Sequence, residues 1–135
     1  MTHESLVVRD AFLPREAPTV SGYDVAGGTA THERGGGDTL WDHFAMADGR
    51  VGFVVFKAAA GAVPTGFFLG VGRTLFRGLA PVHDDVAALM ADVNRTLTRG
   101  APEVAGQVLE CGVVVPGTDE IEWSSAGHPP GGVIG

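Results

Sequence analysis

A run of apolar residues from Val51 to Phe56, closed by Lys57, follows the turn-forming Ala47-Asp48-Gly49-Arg50 and reads as a buried strand. Before it, residues 20 to 31 and 39 to 46 alternate apolar and polar positions between glycines, which predicts two further strands and an antiparallel meander. The period then changes. Pro64 suits a first helical turn, and Phe68, Val71, Leu75 and Leu79 recur at three- and four-residue steps, which predicts a helix ending near residue 79. A second helix follows, capped by Asp84 or Asp85, striped by Val86, Leu89, Met90, Val93 and Leu97, and stopped at Gly100. Val104 to Val115 and Ile121 to Ser125 read as a hairpin across Pro116-Gly117-Thr118-Asp119. The expected order is β-β-β-α-α-β-β. It predicts an α+β fold with two helices packed on one face of an antiparallel sheet, residues 1 to 10 being an N-terminal extension.

Composition narrows the possible partners. The 135 residues, 44% hydrophobic, suit one domain with a core and are too few for two ordinary ones. One lysine and eight dispersed arginines are outweighed by 16 acids, for a net charge of −7, so no basic surface is expected to carry nucleic acid. The single cysteine, Cys111, has no intrachain disulfide partner and suits a reducing, cytoplasmic setting. No apolar stretch approaches the roughly 20 residues that span a bilayer, and Glu4, Arg9 and Asp10 interrupt any signal-peptide core, so a soluble protein is expected.

Several stretches, in order, carry a resemblance. They are Phe12-Leu13-Pro14-Arg15 leading to Gly22-Tyr23-Asp24-Val25-Ala26, then Gly35-Gly36-Gly37-Asp38 through Trp41-Asp42-His43-Phe44, then Asp48-Gly49-Arg50. Val93-Asn94-Arg95 and Ser125-Ala126-Gly127-His128-Pro129-Pro130 follow. Over nearly all of its length the chain resembles the bacterial SpoIIE-like, PPM-type serine/threonine phosphatases, whose corresponding segments read GGD-x-x-D-x-F, DGR, LNR and NAGHPP. The resemblance implies a two-layer β-sandwich with helices outside. It also implies that this chain is a short, single-domain version (1–135) lacking the family's C-terminal part.

Family members hydrolyse phosphoserine or phosphothreonine with two bridging Mg or Mn ions, which need hard oxygen ligands. The first metal carboxylate corresponds to Asp38 if the triple glycine is aligned directly. Counting back without gaps from Asp48 places Thr39 there, with Asp42 at the second Asp of the segment. The second metal carboxylate corresponds to Lys57, where the family's GDVSGKGVP stretch has Asp and this chain reads Phe56-Lys57-Ala58-Ala59-Ala60-Gly61-Ala62-Val63-Pro64. The resemblance thus leaves Asp38 and Asp42 as vestigial metal positions and Lys57 as a lost one, with no cofactor expected. Two readings of Lys57 stay open. Its ammonium replaces a missing cation by pairing with Asp38 or Asp42, or it ends a strand in solvent.

Other constellations carry less. His128 with Ser124 or Ser125 is too local to define a triad, and His32, His43 and His83 lack metal-ligand spacing. Gly35 to Gly37 precede a strand rather than a helix, which favours a turn over a phosphate cradle, and Trp41, Phe44, Phe67 and Phe68 read as core. Two functions follow from the resemblance. One is a pseudophosphatase acting in bacterial signalling by protein binding or assembly, an anti-sigma-factor antagonist being the implied partner. The other is an active metal-dependent phosphatase whose missing ligands come from another subunit. A sandwich without its last third leaves sheet surface uncovered, so a homodimer is expected.

Overall fold

Two hairpins joined through a helical layer build the molecule. The structure, a computed structural model, describes residues 3–29, 39–58, 65–100, 109–127 and 131–132. Strand β1 (Thr39–Ala45) turns into β2 (Val51–Ala58), with Met46 N donating to Arg50 O at 2.8 Å and Gly49 at φ +87°, a left-handed turn position where a side chain would be strained. Strands β3 (Leu109–Pro116) and β4 (Ile121–Ala126) form the second hairpin, closed by Gly117 N donating to Glu120 O at 2.7 Å. All pairs are antiparallel and the sheet order is β1-β2-β3-β4. Between the hairpins run α2 (Thr65–Leu79), a short 3-10 turn (Ala80–Val82) and α3 (Val86–Gly100).

The alternation along the strands decides which side the helices cover. Leu40 and Phe44 of β1, Val54 and Phe56 of β2, and Cys111, Val113 and Val115 of β3 are buried against the helical layer. Phe76 of α2 reaches between the strands, its ring 5.6 Å from that of Phe44 and 5.3 Å from that of Phe56. Each such fully buried phenylalanine contributes about 1.5–3 kcal/mol. Opposite Phe44, Gly52 leaves the space its ring occupies; a Cβ there would collide with the ring. The cap of α3 is Asp85, whose Oδ1 accepts from Ala88 N at 2.8 Å.

The α+β class and the antiparallel sheet with helices on one face match the sequence reading. So do the end of α2 at Leu79 and of α3 at Gly100. Three points extend or correct that reading. Residues 3–12, most of them in the expected N-terminal extension, form a helix, α1 (His3–Phe12), which packs on α2: Phe12 stacks under the Arg73 guanidinium and fills the space left by Gly70. The strand expected over residues 20–31 is not formed between 20 and 29; only an isolated bridge joins Val20 to Tyr23, because the hydroxyl of Tyr23 is bonded to Gly117 O at 2.8 Å and turns the segment across the sheet end. The described order is therefore α1-β1-β2-α2-α3-β3-β4 with the 3-10 turn after α2. Pro64, expected in the first turn of α2, and residues 104–108, expected in β3, lie outside the described residues.

Candidate functional site

The two faces of the sheet separate the residues that the resemblance groups together. On β2 the inward set is Val54, Phe56 and Ala58, so Val55 and Lys57 point outward and are exposed. Register places Thr39 of β1 and Glu110 of β3 on either side of Lys57, in one cross-strand row at the end of the outer face. Aligned without gaps, the resemblance would put metal carboxylates at Thr39 and Lys57. The strand geometry makes them immediate neighbours, as a dinuclear site would need. Their chemistry does not fit one. A carboxylate about 4 Å from a dication gains roughly 8 kcal/mol at an effective dielectric near 20, and an ammonium there meets a repulsion of similar size. Among the described residues, no three His, Cys, Asp or Glu side chains converge.

Asp42 belongs to the other face. It pairs across the strands with Val54, is 1% exposed, and accepts two hydrogen bonds from Arg77 of α2: Nη2 to Oδ1 at 2.6 Å and Nε to Oδ2 at 2.7 Å. Arg73, one turn earlier on α2, brings its Nε to 3.7 Å from Oδ2, and that nitrogen is buried without a hydrogen-bond partner. The bidentate fork holds the carboxylate in the geometry that guanidinium matches best, and donating to Asp42 raises the Arg77 pKa against the opposing effect of desolvation. Asp42 and Lys57 thus stand on opposite faces. Of the two pairings open to the ammonium, the one with Asp42 is replaced by the Arg77 fork; Asp38 lies outside the described residues. The pair of arginines four residues apart on an otherwise apolar helix was the available sequence signal for this contact.

Arg50 of the DGR turn ties three elements together, a role its position in a turn did not announce. It donates through Nε to Asp48 Oδ2 at 2.7 Å, through Nη1 to Glu122 Oε1 of β4 at 2.9 Å, and through Nη2 to Asp84 O at 2.7 Å. The Arg50 backbone N–H, followed by its guanidinium, holds the Asp48 carboxyl below its usual range. His83 Nε2 lies 2.8 Å from Asp92 Oδ2, and Asp92 Oδ1 accepts from Arg95 Nη2 at 2.8 Å; these two partners lower the Asp92 pKa. Cys111 is buried, and desolvation pushes its thiol up to about 11.

The remaining candidates scatter. His43 is half-buried on the outer face, and Ser124 and Ser125 lie on opposite faces of β4. His32, Gly35 to Gly37 and His128 are outside the described residues. Phe44 and Phe68 are core, whereas Phe67 is 61% exposed beside Phe12, Val71 and Leu75 in a shallow apolar groove between α1 and α2. Trp41 is buried to 8% exposure on the outer face, where Gly27 lies against its ring; a Cβ on Gly27 would come within 2.6 Å of it. Among the described residues, no helix is long and apolar enough to cross a membrane. Comparison with known protein families, with curated proteins and with solved structures finds no match for this chain.

Proposed function

We propose that this chain is a pseudophosphatase of the SpoIIE-like, PPM type, which acts by binding a protein partner in a signalling pathway rather than by hydrolysing a phosphoester. The observation that carries the reading is Lys57. It ends β2 on the outer face beside Thr39, while Asp42 is held by Arg77 on the opposite face. A hydrolytic site of this type needs carboxylates gathered on one side to hold two cations, and the nearest acid in that row is the single Glu110. The family resemblance supplies the partner class, a phosphorylated antagonist of an anti-sigma factor, which the domain would bind or compete for. The buried, unpaired thiol of Cys111 suits the reducing cytoplasm in which such a partner works.

The test is a phosphatase assay with p-nitrophenyl phosphate and a phosphoserine peptide in excess manganese, run beside Lys57→Asp and with calorimetric titration of manganese. The expected outcome is no turnover above background and no manganese binding by the natural sequence. Manganese-dependent turnover by the natural sequence would overturn the reading.

A further inference from the structure

Two guanidiniums share one carboxylate where α1, α2 and β1 meet. Among the described residues, Asp42 is the one acid in salt-bridge reach of either Arg73 or Arg77, and the Arg77 fork already occupies both of its oxygens. On α1, Asp10 is taken by Arg9 at 2.6 Å. Two cations against one anion leave a single positive charge uncompensated, on a chain whose net charge is −7. Arg73 holds that surplus in place. Its side chain is only 25% exposed, its guanidinium carbon lies 5.0 Å from the centre of the Phe12 ring, and its Nε is buried without a hydrogen-bond partner. A largely covered, unpaired guanidinium costs stability unless an anion completes it. We propose that the Arg73–Arg77 pair binds a phosphoryl group, either inorganic phosphate or a phosphate ester carried by another molecule. This inference stands on α1, α2 and β1 and does not depend on the phosphatase reading.

The planar shape of guanidinium fixes which donors remain for a ligand. Arg77 spends Nε and one Nη2 hydrogen on Asp42, so its other edge, Nη1 and the second Nη2 hydrogen, faces away from the carboxylate on a side chain that is 40% exposed. Asp42, 1% exposed, thereby anchors the fork and sets its direction. Arg73 lies one turn earlier on the same side of α2, where residues four apart hold their Cβ atoms about 5–6 Å from each other. With its Nε buried, Nη1 and Nη2 are the donors that it can offer. Two guanidinium edges side by side match the several oxygens of a phosphoryl group, whereas one carboxylate fills a single edge. A phosphoryl dianion also meets the surplus charge more fully than a monoanion does.

The test is a titration of the full chain with inorganic phosphate at neutral pH and constant ionic strength, followed through the arginine Nε–H resonances by NMR. The Arg73 and Arg77 resonances should shift together and saturate with a dissociation constant of about 1 mM or below. Arg99, exposed on α3, should stay unmoved and serves as the control for loose surface binding. Acetate should bind at least about tenfold more weakly than phosphate. A parallel titration with N-acetyl-O-phosphoserine amide separates the two sources: tighter binding than phosphate assigns the site to an ester, and equal or weaker binding assigns it to the free ion. Arg73→Met keeps the stem beside Phe12 and should raise the phosphate dissociation constant at least about tenfold, with Arg73→Lys, which keeps the charge but not the fork, in between. Circular dichroism confirms that both variants remain folded. Arg73 and Arg77 resonances that do not move by about 20 mM phosphate, a shift at Arg99 as large as theirs, acetate binding as tight as phosphate, or unimpaired binding by Arg73→Met overturns the proposal.

Discussion

Replacing Arg77 by Met removes the fork that neutralises Asp42 while keeping most of the aliphatic stem. Asp42 is 1% exposed on the helix-facing side of β1, so its carboxylate cannot turn to water without opening the contact between α2 and the sheet. Breaking a buried ion pair from one side costs about 3–5 kcal/mol when both members are buried. Here the Arg77 side chain is 40% exposed, which screens the pair, and Arg73 stands 3.7 Å away, ready to take part of the charge. Those two facts lower the expected loss to about 2–3 kcal/mol, or roughly 8–12 °C in melting temperature for a domain of this size. Urea denaturation at neutral pH followed by tryptophan fluorescence measures it. The companion is the double variant Asp42→Leu with Arg77→Met, which buries no unpaired charge and should recover to within about 1 kcal/mol of the natural sequence. A loss below about 0.5 kcal/mol for Arg77→Met would show that the carboxylate is solvated or held by Arg73 alone, and the account of this face would fall.

Two glycines separate packing from propensity. Gly52→Ala drives a methyl into the Phe44 ring, which is 4% exposed, and should cost about 1–3 kcal/mol; Gly78→Ala meets nothing within 4 Å on the exposed side of α2 and should stabilise by about 0.5–1 kcal/mol, so equal effects on urea midpoints would refute the packing argument. For acid stability, the His83 and Arg95 contacts lower the folded-state pKa of Asp92 below 3.8, so their contribution is present above that value and is lost as pH falls through the folded-state pKa. Asp92→Asn should therefore be less stable than the natural sequence at pH 6, and the gap should narrow as pH is taken below 3.8; a gap between the two urea midpoints that stays constant as pH falls refutes the linkage.

Local chemistry made much of the scaffold legible from sequence. The stripe of α3 and its Asp85 cap, the stop at Gly100, and the turns at Asp48-Gly49 and Pro116-Gly117 each follow from short-range preferences that the fold has no reason to override. Helix α1 was hidden because its partner is α2, far along the chain, and Gly70 marks that contact only once Phe12 is known to lie on it. Residues 20–29 kept an alternating pattern without becoming a strand, since Tyr23 is held by the β3–β4 turn instead of a neighbouring strand.

The sequence by itself determined that the chain's one lysine, Lys57, follows the apolar run Val51 to Phe56, because identity at a position needs no coordinates. Only the tertiary structure decided that Lys57 and Asp42 lie on opposite faces. A polar residue in an alternating strand reads as solvent-facing, and the reason Asp42 turns inward is a guanidinium delivered by a helix 35 residues later. Side-chain alternation is a property of one strand, whereas the choice of face depends on what packs against it.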